Sequence, residues 1–281
     1  MQTTIRPRPF IKWAGGKTAL LEELCSRMPT DFNTYFEPFL GAGALFFEIE
    51  SKKAVVNDLN KKLITTYSVI RNHLEELKYE LSQLAEKYLG LEDLTAKENF
   101  FKQVRTQFNS SEIDDIQVAT FFIFLNKTCF NGLYRENSRG EFNVPFGKRK
   151  APSFFDEKSL TSASELLQNT TILQGYYLKA TQTAKEGDFV YFDPPYAPLT
   201  VSASFTAYQA DGFSEIDQKI LRDEFARLAG IGAYVMASNS DTPLINELYG
   251  DFKIHKITAP RRISALNNGR ASVSELIITN Y

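Results

Sequence analysis

The chain contains little cysteine: only Cys25 and Cys129 occur in 281 residues. They are far apart and lack C-x-x-C spacing, which argues against a disulfide framework and a thiolate zinc site. The sequence also lacks an apolar run long enough to cross a bilayer, and its first residues lack the apolar stretch of a signal peptide. These absences predict a protein of the reducing cytoplasm with no membrane partner, and nothing in the sequence requires a metal.

A large excess of positive charge is absent as well, because the formal net charge is −2. Proteins that bind nucleic acid through overall charge use Lys and Arg to displace counterions from phosphates, so a generally basic binder is disfavoured. Basic residues are instead concentrated locally, with six against two acids in residues 126–150 and five against none in residues 252–274. Each stretch indicates either a solvated basic face or a local contact with phosphates.

Two nucleotide-binding fingerprints are incomplete. The segment F-I-K-W-A-G-G-K-T at 10–18 lacks the first glycine of the phosphate-binding pattern G-x-x-x-x-G-K-[ST]. The segment E-P-F-L-G-A-G at 37–43 lacks the third glycine of the dinucleotide pattern G-x-G-x-x-G. A pyrophosphate grip is therefore disfavoured in both segments.

Strands and helices alternate near both ends of the chain. Apolar runs bounded by turn residues predict strands at 35–39, 54–57, 171–175, 189–192, 233–238, 253–257 and 274–279. Helical spacing of apolar residues predicts helices at 18–28, 42–50, 214–229 and 242–249. This alternation predicts an α/β fold of the Rossmann type, with a largely parallel sheet that binds its ligand at the carboxyl ends of the strands.

The middle of the chain breaks this alternation. Residues 60–89 and 114–125 carry apolar side chains at helical spacing, and no strand alternates with them. The segment G-L-Y-R-E-N-S-R-G-E-F-N-V-P-F-G at 132–147 follows, with extended pieces on either side of turn formers at 137–140. The pattern predicts a mainly helical insertion that carries a β-hairpin.

The sharpest local signal is Asp193-Pro194-Pro195-Tyr196, directly after the apolar run F-V-Y-F. Two successive prolines fix φ and remove two backbone N–H donors, so their carbonyls have no partner within the motif. A carboxylate beside a carbonyl forms an acceptor pair that matches an amino group with two N–H donors, and a tyrosine ring can stack on a planar base. The structural alternative is a rigid loop that ends a strand.

A second group of candidates lies near the amino terminus. At Gly41 and Gly43 a predicted strand passes into a helix through G-x-G, where glycine lets a ligand approach the backbone. Asp58 ends the next strand, where a carboxylate can accept hydrogen bonds from both ribose hydroxyls of an adenosine-containing cofactor. Capping the following helix is the structural alternative for Asp58. Trp13 and Lys17 flank two glycines, and this segment is suited to cover a cofactor and bind its carboxylate.

Together these segments resemble the Dam-like DNA adenine methyltransferases of the alpha group, the D12 class, through nearly the whole chain. The resemblance rests on F-I-K-W-A-G-G-K, E-P-F-L-G-A-G-A-L-F-F, N-D-L-N, an insertion, D-P-P-Y and a basic carboxyl-terminal tail, in that order. It implies transfer of a methyl group from S-adenosylmethionine to N6 of an adenine flipped out of double-stranded DNA, leaving S-adenosylhomocysteine. It further implies a catalytic domain of residues 1–59 and 151–281, a target-recognition domain of residues 60–150, and a monomer or weak dimer in a bacterial or phage setting.

The resemblance also assigns roles within the motifs. Hydrogen bonds from N6–H to the Asp193 carboxylate and the Pro194 carbonyl would favour a pyramidal nitrogen, and Tyr196 would stack on the extruded base. These three residues are the implied catalytic set. The implied cofactor-binding residues are Trp13, Lys17, Glu37, Phe39, Gly41, Gly43, Asp58 and Asp193.

The segment N-K-T-C-F-N-G-L-Y-R, followed by R-G-E-F-N-V-P-F-G-K-R-K-A-P, resembles the recognition hairpin of family members that modify GATC. Carried over, Phe130 would wedge into the duplex, where many members have tyrosine and an apolar ring suffices. Asn131 and Leu133 would contact the neighbourhood of the target. Arg135 would read a guanine, a role that also suits a bidentate guanidinium. The other implied DNA contacts are Lys148, Tyr208, Arg261, Arg262 and Arg270.

Four alternatives stay open at this point. Methylation of cytosine N4 uses similar acceptors, usually with serine in place of Asp193, and methylation of a protein glutamine usually has asparagine there. A DNA-binding module without catalysis would not need both the intact D-P-P-Y and the intact cofactor motifs. A nicotinamide-dependent oxidoreductase is disfavoured by the incomplete glycine fingerprint.

Overall fold

The structure, a computed structural model, describes residues 6–197, 213–259 and 273–281. The chain divides into two compact units whose segments interleave along the sequence. We call them the helical unit and the sheet unit after their main elements. The helical unit comprises Met1–Gly16, Gly41–Lys52 and Asp58–Gly175, and the sheet unit comprises Lys17–Leu40, Lys53–Asn57 and Tyr176–Tyr281.

The described residues form seven named strands and ten α-helices. The strands are β1 (Tyr35–Glu37), β2 (Ala54–Asp58), β3 (Thr170–Gln174), β4 (Phe189–Phe192), β5 (Tyr234–Ser240), β6 (Lys253–Ala259) and β7 (Val273–Thr279). The helices are α1 (Leu21–Cys25), α2 (Ala44–Ile49), α3 (Lys61–Asn72), α4 (Leu74–Leu89), α5 (Leu94–Phe108), α6 (Asp115–Thr128), α7 (Glu157–Leu167), α8 (Tyr177–Thr181), α9 (Glu215–Gly230) and α10 (Pro243–Leu248). No helix in the described part of the chain is long and apolar enough to span a membrane.

The sheet unit has the predicted α/β architecture. Within it the strands lie in the order β2-β1-β4-β5-β7-β6, where β2 belongs to this unit except for its last residue. Parallel pairing joins β2 to β1, β1 to β4, and β4 to β5. β7 runs antiparallel to both β5 and β6. The predicted Rossmann-like fold with a largely parallel sheet is therefore confirmed.

The central strands are apolar because a parallel sheet is covered on both faces. All four residues of β4 are buried, and Val190 and Phe192 share a core with Val235 of β5. α9 begins at a capping box in which Ser214 and Asp217 satisfy each other's backbone N–H groups, and it buries an apolar stripe in the same core. This rigid core fixes the carboxyl end of β4, where the D-P-P-Y motif begins.

The helical unit contains more breaks than the apolar spacing of the sequence predicts. The continuous pattern at 60–89 is divided between α3 and α4 at His73, whose φ of −138° and ψ of 41° are not helical. The helix predicted at 114–125 is α6, which begins at a capping box between Asp114 and Gln117. α6 packs against α3, α4 and α5, and its apolar residues are buried around most of its circumference. It forms the centre of this unit.

The predicted hairpin follows α6 and turns at the expected place. Its two arms are joined by isolated antiparallel bridges, Cys129 to Phe146 and Glu136 to Phe142, rather than by a continuous ladder. At the tip, Asn137 Oδ1 accepts hydrogen bonds from the backbone N–H groups of Arg139 (2.9 Å) and Glu141 (3.0 Å). We call residues 129–147 the hairpin loop. The assignment of 60–150 as a separate target-recognition domain stays a prediction.

Candidate active site

An ion pair lies at the end of β4. Lys17 Nζ is 2.6 Å from Asp193 Oδ1, and the Lys17 side chain is only 8% exposed. The hydroxyl of Ser238 donates a hydrogen bond to the same oxygen at 3.0 Å. A buried ammonium requires an opposite charge nearby, and the Asp193 carboxylate supplies one. Among the residues that the structure describes, none donates a hydrogen bond to Asp193 Oδ2.

Ser238 is itself held by Tyr191. The two hydroxyl oxygens are 2.9 Å apart, and Tyr191 lies fully buried on β4. Burial raises the pKa of the Tyr191 phenol, which keeps its proton. Because the single proton of Ser238 points to Asp193, the hydrogen bond between the hydroxyls runs from Tyr191 to Ser238. Two hydroxyl groups thus orient the Asp193 carboxylate.

Tyr196 is fixed at both ends of its side chain. Lys17 Nζ lies 4.6 Å from the centre of its ring, a cation–π contact that covers one face. Its hydroxyl donates to Glu275 Oε2 at 2.8 Å. Burial raises the pKa of the Tyr196 phenol, with the charges of Asp193 and Glu275 adding to the effect. The ring is therefore a neutral, oriented surface with at most one face left for a planar ligand.

The two proline carbonyls of D-P-P-Y differ. Gln218 Nε2 of α9 donates to the Pro195 carbonyl at 3.0 Å, and Asn239 Nδ2 orients Gln218 through its Oε1 at 3.0 Å. No hydrogen bond from any described residue reaches the Pro194 carbonyl. The role of the Pro194 carbonyl as the acceptor beside the Asp193 carboxylate stays a prediction. The Pro195 carbonyl serves to hold the loop.

Glu37 and Phe39 lie at the end of β1. Glu37 is buried and accepts a hydrogen bond from the Tyr35 hydroxyl at 2.7 Å, and burial raises the pKa of that phenol. The Phe39 ring packs against Tyr177 and Phe192, with centroid distances of 4.9 and 6.3 Å. Phe39 is thus anchored in the core of the sheet unit, and Glu37 is a buried acid with a fixed orientation.

Within the helical unit, the G-x-G turn is hydrogen-bonded to the side chain of Asp58. Asp58 Oδ2 accepts the N–H of Gly41 and Oδ1 accepts the N–H of Asn60, both at 2.9 Å. Gly41 and Gly43 have φ of +50° and +68°, the left-handed region that favours glycine. Burial raises the pKa of Asp58, and the backbone hydrogen bonds partly oppose this. The cap of α3 is the side chain of Asn60, so Asp58 is not the N-cap.

Trp13 contacts this turn directly. A β-carbon placed on Gly41 would lie 2.7 Å from Trp13 Cδ1, so a larger residue than glycine would displace the indole. On the hairpin side, the indole stacks on Tyr134 with a centroid distance of 5.4 Å and an interplanar angle of 24°. Trp13 is therefore wedged between the G-x-G turn and the hairpin loop.

Three of the four predicted DNA-contacting residues of the hairpin loop are exposed. Phe130 is 52% exposed and Asn131 is exposed at a left-handed φ of +55°. Arg135 is exposed and its Nε donates to Asn143 Oδ1 at 2.7 Å, while Leu133 is half-buried. Lys148 is exposed just beyond the loop. The other implied DNA contacts, Tyr208, Arg261, Arg262 and Arg270, lie outside the described residues.

Cys129, at the start of the hairpin loop, is buried. Its Sγ lies 3.3 Å from the Leu133 carbonyl oxygen, and burial raises the pKa of the thiol to about 11. Within the three described ranges, no cluster of three or more His, Cys, Asp or Glu side chains could hold a metal ion.

Three residues of the β4 end escaped sequence analysis. Ser238 lies in A-S-N-S-D-T, a segment that the family resemblance includes without giving it a role. Gln218 and Glu275 have no local signal, since one occupies an amphipathic helix and the other a strand. Their contribution is visible only from the folded sheet unit.

Comparison with known proteins identifies the family of the chain. A family model for the D12 class N6 adenine-specific DNA methyltransferases matches residues 13–263. The chain is similar to the Type II methyltransferase M1.LlaDCHI of Lactococcus lactis subsp. cremoris, with 43% identity over 99% of this chain and 96% of that protein. It is 40% identical to the Type II methyltransferase M.MjaIII of Methanocaldococcus jannaschii, over 98% and 99% of the two chains. It is also 36% identical to the DNA adenine methylase of Escherichia coli, over 96% and 94%. The chain belongs to the D12 class of N6 adenine-specific DNA methyltransferases.

Proposed function

We propose that this chain transfers a methyl group from S-adenosylmethionine to N6 of an adenine that is flipped out of double-stranded DNA within GATC. The observation that carries the proposal is the acceptor pair at the end of β4. Asp193 Oδ2 and the Pro194 carbonyl are adjacent acceptors without a described donor, while Asp193 Oδ1 is already held by Lys17 and Ser238. Two acceptors side by side match the two N–H donors of an exocyclic amino group.

The acceptor pair acts by orientation and electrostatics. The lone pair of N6 is delocalised into the adenine ring, which makes the amino group a poor nucleophile. Hydrogen bonds from both N6–H groups to Asp193 and Pro194 hold the nitrogen in a pyramidal geometry with its lone pair directed away from the acceptors. Tyr196, held by Glu275, would stack on the base through the ring face that Lys17 does not cover.

The chemistry of the cofactor fits the residues present. When bound, S-adenosylmethionine supplies an electrophilic methyl group. Lys17 is a buried cation suited to the cofactor's carboxylate, and the half-buried Asp58 keeps spare lone pairs on both oxygens for the ribose hydroxyls. Trp13, Glu37, Phe39, Gly41 and Gly43 are the other proposed cofactor residues.

The proposed DNA contacts rest on exposure and chemistry. Phe130 is a large exposed aromatic ring, the kind of side chain that wedges between base pairs. Arg135 presents an exposed guanidinium suited to guanine O6 and N7. The preference for GATC comes from the resemblance of the segment at 126–152 to recognition hairpins of this specificity.

Base-modification sequencing tests the proposal. The chain is expressed in a host that lacks DNA methylation, and the host genome is sequenced with detection of modified bases. We expect N6-methyladenine at GATC on both strands, and no modification from an Asp193→Asn chain expressed at the same level. Methylation at N4 of cytosine, or of adenine in a different sequence, would refute the base or the site.

A further inference from the structure

A single buried side chain joins two segments of the helical unit. Asn126, near the end of α6, is 3% exposed. Its Oδ1 accepts the backbone N–H of Lys12, and its Nδ2 donates to the Lys12 carbonyl, both at 2.8 Å. The same Nδ2 donates to the Gly132 carbonyl at 3.0 Å. Asn126 therefore ties the backbone next to Trp13 to the hairpin loop.

Gly132 shows how closely the two segments approach. Its φ is +68°, and an added β-carbon would lie 2.7 Å from Lys12 Cδ and 3.0 Å from Lys12 Cβ. The aliphatic stem of Lys12 thus passes directly over the hairpin backbone. Together with the stacking of Trp13 on Tyr134, this gives two independent contacts between the segment at 12–13 and the hairpin loop.

The same segment contacts the G-x-G turn on its other side. Trp13 Cδ1 fills the space in which a side chain at Gly41 would lie, and the Gly41 N–H is held by Asp58. A shift of residues 12–13 would therefore displace both the turn proposed to bind the cofactor and the loop proposed to bind DNA. Packed elements transmit such shifts because well-packed interiors do not deform without rearrangement.

We propose that Asn126 is a positioning residue that couples cofactor binding to DNA binding. This inference rests on the proposed function of the Trp13 segment and of the hairpin loop. Asn126 holds Lys12 against Gly132, so a ligand that orders the Trp13 segment also orders the hairpin loop, and the reverse. Each ligand therefore strengthens the binding of the other by the same factor.

The chain offers a matched control. Asn109 holds the backbone of Phe142 with the same geometry: its Nδ2 donates to the Phe142 carbonyl at 3.0 Å and its Oδ1 accepts the Phe142 N–H at 2.8 Å. Phe142 belongs to the far arm of the hairpin, and Asn109 has no hydrogen bond to residues 12–13. Both asparagines stabilise the hairpin, and only Asn126 joins it to Trp13.

The experiment measures coupling rather than activity. Fluorescence anisotropy gives the Kd of a labelled duplex, carrying the site found by methylation mapping, with and without saturating S-adenosylhomocysteine. Calorimetry gives the Kd of S-adenosylhomocysteine with and without that duplex. For each ligand, the coupling ratio is its Kd without the other ligand divided by its Kd with it. We expect the two coupling ratios of the wild-type chain to agree, at about fivefold or more. Asn109→Ala should keep this ratio, and Asn126→Ala should bring it close to one.

Asn126→Asp serves as a second variant should Asn126→Ala not fold. It keeps the acceptor for the Lys12 N–H and removes both donors, so it should also lower the ratio. The inference is overturned by a wild-type ratio of one, by Asn126 variants that retain coupling, or by an equal loss in Asn109→Ala. Failure of the wild-type chain to bind either ligand would instead refute the proposed function.

Discussion

The loop that follows β4 and the hairpin loop hold their proposed functional residues in opposite ways. In the β4 loop, the side chains themselves are fixed: Asp193 by Lys17 and Ser238, and Tyr196 by Glu275. In the hairpin loop, side chains such as Phe130 are exposed. There the backbone is fixed instead.

Hydrogen bonds to the main chain hold the hairpin loop. The N–H of Phe130 donates to the Pro145 carbonyl at 2.9 Å, and the N–H of Gly147 donates to the Thr128 carbonyl at 2.8 Å. Asn126 and Asn109 add side-chain contacts to the backbone. The difference matches the two proposed tasks, catalysis at the β4 loop and DNA recognition at the hairpin loop. Stabilising a transition state requires charges that are already oriented, whereas reading DNA requires side chains that can adjust on a rigid frame.

Removal of the charge at Asp193 should have the largest effect, because it acts on the side chains that the β4 loop holds fixed. Asp193→Asn keeps the shape but replaces Oδ1 or Oδ2 with an amide donor and removes the negative charge beside Lys17. We expect the rate of methyl transfer to DNA to fall by about 1,000-fold or more, measured with radiolabelled S-adenosylmethionine.

Asp241→Asn is the matched control for Asp193→Asn. Asp241 Oδ2 pairs with Lys256 at 3.2 Å and lies at the end of β5 outside the D-P-P-Y loop. This variant should keep a rate within about twofold of wild type, since a pair with the exposed Lys256 contributes little. A normal rate in the Asp193→Asn chain would show that the acceptor pair is not catalytic.

Arg135→Ala tests whether an exposed side chain on the fixed frame carries specificity. We expect discrimination at one guanine to fall by about 10- to 100-fold, corresponding to about 1–3 kcal/mol. The measurement is kcat/KM on duplexes in which each base pair of the mapped site is replaced in turn. Arg139→Ala, at the exposed tip of the hairpin, should weaken binding of all duplexes alike. Unchanged preference in Arg135→Ala would assign guanine recognition elsewhere.

Gly147→Ala tests whether the hairpin backbone is as tightly held as its hydrogen bonds indicate. A β-carbon at Gly147 would lie 2.6 Å from the carbonyl carbon of Cys129 and 2.9 Å from the Thr128 carbonyl oxygen, so the arms must separate. We expect the free energy of unfolding in urea to fall by about 1–3 kcal/mol. Gly230→Ala, where nothing lies within 4 Å of the new carbon, should leave it nearly unchanged. Equal stability of both variants would mean that the backbone of the hairpin loop adjusts to a β-carbon at Gly147 at little cost in free energy.

Phe130→Ala should have the smallest effect on stability. Because Phe130 is 52% exposed, we expect the free energy of unfolding to change by no more than about 0.5 kcal/mol. Methylation should nevertheless become about tenfold less efficient, because the wedge that offsets the unstacking of the target is lost. Tyr79→Ala, at a 64% exposed ring of α4, should change neither quantity. A strongly destabilised Phe130→Ala chain would show that the Phe130 side chain stabilises the folded structure.

Local patterns account for the parts of the molecule that the sequence predicts well. β4 follows from four apolar residues ended by two prolines, and α9 follows from an N-cap serine before an apolar stripe. The break at His73 is not predicted, because apolar spacing continues through it and the two helices diverge only in the folded unit.

Pairings between distant segments cannot be predicted from local patterns. Lys17 and Asp193 are separately recognisable as candidates, yet their ion pair depends on the packing of the whole sheet unit. Asn126 lies in the apolar part of α6, and its side chain bonds to the backbone of two residues outside that helix, Lys12 and Gly132. Only the folded structure gives it a role.

The burial of Cys129 has a practical consequence for chemical labelling. Alkylating reagents react with exposed thiolates, and burial both raises the pKa of the Cys129 thiol and shields its sulfur. Cys25 is exposed at the end of α1 and is the only other cysteine in the chain. A maleimide dye should therefore attach at a single position without mutagenesis, and leave the hairpin loop unmodified.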